Sequence, residues 1–381
     1  MTYTTGEGAL AADMGHTSNT ANSAAAGFFK RHGTLILLLA IGAGILCTFW
    51  FGSRYPALLK KVDDLPTYHP HSFVYSSELM TLSADDALWR RVLATFVNWV
   101  WSMRIGMTFG LSMGALLHTL FQIFPLKATN SVYLNTLKGI FVGVPAGVCV
   151  NCAVPVACGI TRAKSKVETA LGFMLSSPTL NIIVVSMIIT AFPWQFAVVH
   201  FGLVAVVLLG VLPLMVKYMH NDATPIPASM PAPIMGDIPL PRLSPKEALK
   251  AYGMNLWKLV KTAVPMMLCG AIFSAVAVQV IPFDALFAHV GFMQVAATSM
   301  ISTLLPAPIA MEVLVAHHLY LTQVPAAYVA LFLSTLGSYS ILPMIYLWRE
   351  VSRKLAVGLY AAFVTLGIAA AYILQALLAA A

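Results

Sequence analysis

The sequence predicts an all-α polytopic membrane protein: two related, inverted helical repeats with broken or re-entrant helices, preceded by an N-terminal anchor helix. Three observations predict it. Hydrophobic residues make up 59% of the 381 positions and charged residues 9%, against about 45–50% and about 25% in soluble domains. Apolar runs long enough to span about 30 Å of hydrocarbon recur along the chain. The same order of features appears twice. This composition excludes a soluble enzyme, a disordered chain, a collagen-like chain and a porin-type barrel, whose strands would alternate apolar and polar residues. The formal charge of +8 reads as orientation charge on cytoplasmic loops, not as a nucleic-acid footprint. Cys47, Cys149, Cys152, Cys158 and Cys269 all fall in apolar stretches, which argues against an extracellular disulfide framework.

Residues 1–33 are small and polar and read as a disordered cytoplasmic tail. Lys30 and Arg31 precede the apolar run 34–52, an uncleaved transmembrane anchor whose amino terminus they place inside. Residues 53–91 carry charges of both signs and form a periplasmic loop, in which His69 and His71 read as solvated residues. The first membrane repeat, 92–216, holds apolar segments at 92–124, 139–160, 167–191 and 194–216. In the first of these, Gly106, Gly110 and Gly114 form a stripe on one helix face, a spacing that lets helix backbones approach closely in lipid. Residues 217–251 form a Pro-rich cytoplasmic linker. The second repeat, 252–381, holds segments at 257–281, 290–320, 324–347 and 355–379.

The halves match in order. Ser176-Ser177 lies 158 positions before Ser334-Thr335, and Asn98 and Arg104 lie 157 positions before Asn255 and Lys261. Such internal repeats are typical of secondary transporters. If 139–160 and 290–320 each dip in and return, Arg162, Lys164 and Lys166 stay inside together with Arg349, Arg353 and Lys354. Each half then has three full crossings and one hairpin, and an odd number inverts the second half.

Pro145, Pro155, Pro178, Pro306 and Pro308 interrupt apolar segments. Each removes an amide donor and clashes with the preceding turn. Non-helical backbone at membrane depth is therefore expected near 145–155, 178–181, 306–308 and 336–340, where it must line a cavity or be satisfied by protein. Within it lies Cys149-Val150-Asn151-Cys152. A Cys-x-x-Cys pair suits a soft metal, a redox disulfide or two small buried thiols. Zinc needs four ligands, and no second cysteine pair exists. Membrane thiol oxidoreductases with inverted halves need a cysteine in each, and positions 307–310 read Ala-Pro-Ile-Ala.

Cys149-x-Asn151-Cys152-x-x-Pro155, Gly159 and Ser177-Pro178-x-x-Asn181 resemble the predicted permease family that includes the ArsP organoarsenical exporters. Family members typically carry Cys-x-Cys before the proline; here the second cysteine stands one residue later. The resemblance covers roughly 92–350. It implies an inner-membrane permease of two related halves that exports a thiophilic solute such as a trivalent organoarsenical.

Glu312 is the one acidic residue deep inside an apolar segment. Intramembrane carboxylates are costly and functional by default, which suits proton coupling. Arg104 and Lys261 are expected to snorkel. Met103, Met107 and Met113 read as packing. No phosphate-binding Gly-rich loop with Lys-Ser/Thr is present. The sequence therefore predicts a multi-pass permease of the bacterial inner membrane, not an enzyme. No cofactor or metal is implied. Its partners are the lipid bilayer and a small-molecule substrate, with no nucleic acid and a homo-oligomer left open. Cys149, Asn151, Cys152, Pro155, Ser177, Pro178, Asn181, Pro308 and Ser338 are the expected substrate contacts, and Glu312 the proton-coupling group. The alternatives are a membrane thiol-redox or assembly protein and a copper or soft-metal carrier.

Overall fold

A computed structural model describes residues 33–56, 59, 79–81, 83, 85–124, 129–162, 166–219, 244–280, 287 and 289–380. The expectations for the amino-terminal tail, for His69 and His71 and for residues 220–243 of the linker lie outside them. Most of the described residues are helical. Five of the helices are long and apolar enough to cross a membrane.

α1 (Gly33–Ser53) is the expected anchor and ends in a π-helical turn, Trp50–Arg54. The first half then comprises α2 (Leu88–Ile123), α3 (Val132–Ala146), α4 (Val150–Arg162), α5 (Val167–Thr179), α6 (Ile182–Ala191) and α7 (Trp194–Met219). The second comprises α8 (Pro245–Val280), α9 (Phe292–Leu304), α10 (Met311–Leu321), α11 (Ala326–Thr335), α12 (Ile341–Glu350) and α13 (Arg353–Ala379). Each element of the first half has a counterpart of similar length about 160 positions later.

α8 begins earlier than the linker boundary at 251, for a local reason. Ser244 and Glu247 form a capping box around Pro245. The Glu247 carboxylate accepts from Ser244 N at 2.8 Å, and Glu247 N donates to Ser244 Oγ at 3.3 Å. Proline is at home in the first helical position because its missing N–H has no helical partner there.

Side-chain bonds fix how the halves lie. At the start of α2, Arg91 Nε donates to Gln279 Oε1 near the end of α8 at 2.9 Å, and Gln279 donates to Thr95. At the other end, Asn255 near the start of α8 donates to Thr119 Oγ1 and Gln122 Oε1 of α2. The two equivalent long helices thus run antiparallel, as inverted repeats require.

The apolar segments 139–160 and 290–320 are each broken into two arms that turn back. Asn135, near the start of α3, donates to Glu168 at the start of α5, and Val148 N at the turn donates to Ser177 Oγ near the end of α5. α3 and α5 therefore run in parallel from one end of the molecule, here called the first end, and α4 returns to it. In the second half Tyr328 Oη donates to the carbonyl of His289, just before α9, at 2.5 Å, and Ser302 bonds Thr335. α9 and α11 are likewise parallel, and α10 returns to the opposite end. Arms of 11–15 residues reach only about 16–23 Å at 1.5 Å per residue, short of a full crossing.

Close helix approach needs small residues, and the glycine stripe supplies them. A methyl group on Gly110 would strike the carbonyl oxygen of Cys152, and one on Gly114 that of Pro155. The stripe on α2 is the bed of α4. Arg104 lies over the Trp101 ring at 3.4 Å and Lys261 over Trp257 at 4.8 Å, a pairing repeated in both halves on exposed helix faces.

Candidate substrate-binding site

Four helix interruptions converge between the halves: 147–149, 180–181, 305–310 and 336–340. The first turns on Gly147 at φ +58°, which ends α3 in the left-handed region. The fourth turns on Gly337 at φ +85°. Ala310, at φ +61°, caps α10; a residue with a Cβ held there costs about 1–2 kcal/mol.

The first-half breaks lie inside the stretches expected at 145–155 and 178–181, beside the prolines rather than on them. Pro145, Pro155 and Pro178 all lie inside helices. A proline removes one hydrogen bond, while the surrounding packing holds the helix together. The ends come where another residue closes them. Asn181 accepts from Ile183 N and Val184 N, both at 3.1 Å, and donates to the carbonyls of Ser177 and Pro178, both at 2.8 Å. One amide thus caps α6 and closes α5. Ser340 does half of this in the second repeat, accepting from Leu342 N.

The tips of the two hairpins meet at Asn151. Its amide donates to the carbonyl of Ala307 at 3.2 Å, and its Oδ1 accepts from Ser340 Oγ at 2.7 Å. Trp99 Nε1 of α2 donates to the carbonyl of Pro306 at 3.2 Å. Two of these bonds tie the first half to backbone that the Pro306 and Pro308 break leaves outside a helix, and the third ties it to the Ser340 side chain in the last break. Ser338 is local, its hydroxyl bonding the Ser334 carbonyl at 2.9 Å. Pro155 lies along α4 against α2, and Pro308 accepts from Met311 N at the start of α10.

Cys149 and Cys152 stand at the same tip, buried, not joined by a disulfide and with their sulfurs 2.6 Å apart. Cys152 N points at Cys149 Sγ from 3.4 Å. Met103 Sδ of α2 is 3.8 Å from Cys149 Sγ, so it brings a third sulfur to the pair as well as packing. Cys47 and Cys269 are exposed, away from this cluster.

Glu312 is buried in the first turn of α10. It is the second residue of that arm, as Asn151 is of α4. The matched positions of the two arms thus hold a carboxylate at one tip and an amide at the other. Gly337 makes room for it: a Cβ there would lie 2.8 Å from Glu312 Oε2.

Sequence reasoning missed Ser340, Trp99 and Met103 as parts of this seam. Ser340 had a signal, since it lies one repeat interval after Asn181. Trp99 and Met103 had none beyond their place on the glycine-rich helix.

The seam is closed at both ends. At the first end Thr161 Oγ1 bonds Tyr346 Oη at 3.0 Å, and Arg162 faces Glu350 at 3.9 Å, joining α4 to α12. At the other end Phe192 packs edge-on against His317 and Tyr320, and Phe196 against Tyr320.

A polytopic helical membrane protein of two matched halves, with helix breaks meeting at a buried seam, has the architecture of a permease. The chain belongs to the predicted permease family that carries the ArsP name, whose model matches residues 92–376. It is also similar to the UPF0718 protein YraQ of Escherichia coli (strain K12), 26% identical over 280 residues that cover 71% of this chain and 77% of that protein. No solved structure matches.

Proposed function

We propose that the protein is a secondary permease of the bacterial inner membrane that moves a small thiophilic solute, such as a trivalent organoarsenical, by alternating access. The carrying observation is the Cys149–Cys152 pair, with sulfurs 2.6 Å apart at a hairpin tip between the halves. The extra residue between the cysteines does not separate them, because Cys149 caps the start of α4, its carbonyl accepting from Ala153 N at 2.9 Å, and Cys152 lies in the first turn above it. Two adjacent thiols suit an arsenical of the form R–As(OH)2. Two As–O bonds break and two As–S bonds form. The thiol protons leave with the hydroxides as two waters, and arsenic stays trivalent. Exchange with other thiols reverses the step, as release requires.

Asn151 and Ser340 close the seam over the thiols, and Glu312 exchanges the coupling proton at the opposite tip. The two seals describe an occluded state, and opening one at a time gives access from each side. The first end carries Arg162, Lys166, Arg349, Arg353 and Lys354, so the positive-inside rule makes it cytoplasmic.

A second reading, a carrier of a soft monovalent cation such as Cu(I), draws on Met103 as a third sulfur ligand. Purified protein in liposomes tests both. Phenylarsine oxide uptake that is saturable and lost in Cys149→Ser with Cys152→Ser supports the first. Uptake unchanged in that variant overturns it. Saturable Ag(I) uptake without phenylarsine oxide uptake selects the second.

A further inference from the structure

One buried titratable side chain takes no part in the thiol seam. His200 lies in α7 with 1% of its surface exposed, and neither ring nitrogen has a hydrogen-bond partner among the described residues. The carbonyl of Thr179, the last residue of α5, faces the ring, and so does that of Leu333 in the last turn of α11. Both stand close enough to act on it electrostatically but outside hydrogen-bond geometry. Carbonyls of a helix's last turn lack intrahelical partners, and that end of a helix carries partial negative charge that favours a cation. Two such ends, one from each half, meet at one imidazole. The surroundings supply no competing charge. α6 has no ionisable side chain. On other elements packed against α7, Glu168 of α5 accepts from Asn135 at the first end, Tyr328 of α11 donates to the carbonyl of His289, and Tyr360 of α13 donates to that of Met300. Lys138 of α3 and Arg353, Lys354 and Tyr372 of α13 are exposed. His317 and Tyr320 of α10 pack on Phe192 and Phe196, nearer the opposite end. No charged side chain among the described residues acts on the ring.

We propose that His200 is a proton-binding site whose imidazolium clamps the end of α5 to the end of α11. A neutral imidazole has one N–H and one bare nitrogen. It serves one carbonyl and sets a lone pair against the other. The imidazolium has two N–H groups and serves both. A buried charge is tolerated only when such bonds pair it, so proton uptake and closure of the two helix ends on the ring favour each other. The step is a proton transfer from water to the bare ring nitrogen, and no other bond changes. α5 and α11 lead into the breaks at 180–181 and 336–340, so a proton at His200 holds the halves together beside the seam. Ends of broken helices are where transporters of inverted-repeat design hold coupling cations. The clamp deepens the permease reading, on which it rests for the parting of the halves, by adding a proton site distinct from Glu312.

The test uses full-length protein in lipid nanodiscs without solute. In nitrogen-15 spectra of histidine-labelled protein, the His200 signal is the one lost in His200→Leu. It should pass from neutral to doubly protonated between about pH 8 and about pH 4.5. The second readout is the N-ethylmaleimide rate at Cys149 and Cys152 when Cys47, Cys158 and Cys269 are serine. It is expressed as the ratio of the protein with His200 to His200→Leu at each pH, so that thiol ionisation cancels. The ratio should be near one at high pH and fall about tenfold across the His200 titration, the worth of a charged hydrogen bond. His200→Gln, whose amide offers two N–H groups at every pH, should react slowly throughout. Glu312→Gln should leave both readouts in place, and neither involves solute, so failure of the proposed coupling or of the thiol reading stays distinguishable. A His200 signal unchanged with pH, neutral or charged, overturns the proposal. So does a rate ratio that does not change with pH. If His200→Leu does not fold, His200→Gln replaces it; the ratio should then start above one and fall to one at low pH, and a constant ratio overturns the proposal.

Discussion

Replacing Asn151 by leucine removes the bond between the two hairpin tips while keeping the side chain's size. Two partners are stranded in a buried seam: the Ser340 hydroxyl loses its acceptor at 2.7 Å, and the Ala307 carbonyl loses a donor at 3.2 Å. A stranded buried group costs about 1–3 kcal/mol. Ser340 Oγ still accepts from Leu342 N, so the lower part of that range applies, and the two together come to about 2–3 kcal/mol. Both bonds join the first half to the second, so the whole loss falls on the closed arrangement. At about 1.4 kcal/mol per tenfold, the closed-to-open ratio drops about 30- to 140-fold. The assay is the rate at which N-ethylmaleimide modifies Cys149 and Cys152 when Cys47, Cys158 and Cys269 are serine. The thiols are fully covered here, so modification waits on opening, and the rate should rise by the same factor. Ser340→Ala should raise it less, and the double variant should fall short of the sum, because the two residues share one bond. A folded Asn151→Leu protein whose cysteines react at the wild-type rate would refute the claim that this contact holds the halves together.

Glu312→Gln should abolish proton-driven accumulation of solute in liposomes yet leave binding intact; full concentrative transport with unchanged pH dependence would make Glu312 structural. Single cysteines replacing Lys166 and Arg353 should both react with impermeant reagents from the cytoplasmic side only, and periplasmic reaction at either contradicts the two hairpins. Gly114→Ala forces a methyl group onto the Pro155 carbonyl, so thermal unfolding in detergent should show a loss of about 1–3 kcal/mol. Gly202→Ala, with open space around it, should be neutral or slightly stabilising.

Composition and the order of apolar runs suffice for the membrane class and the twofold plan, because a bilayer imposes length and polarity on each segment independently of its neighbours. The glycine stripe on α2 was legible for the same reason: the absence of a side chain shows in the sequence whatever packs there. The charge clusters at 162–166 and 349–354 pointed to hairpins because loop charge depends on which side of the membrane a loop lies. Glu312 announced itself by its cost. Where the breaks fall was legible to within a few residues, at all four expected stretches; which residue ends each helix was not. Pro145, Pro155 and Pro178 mark weak points in helices, and only the partners that Gly147 and Asn181 find in the folded chain turn a weak point into an end. Nor could spacing alone show that Cys149 and Cys152 touch, that Met103 joins them, or that Asn151 reaches Ala307 and Ser340, some 156 and 189 positions away. Those contacts cross between halves. Sequence pattern reports the period of one element, while the meeting of two hairpin tips depends on the packing of both repeats together.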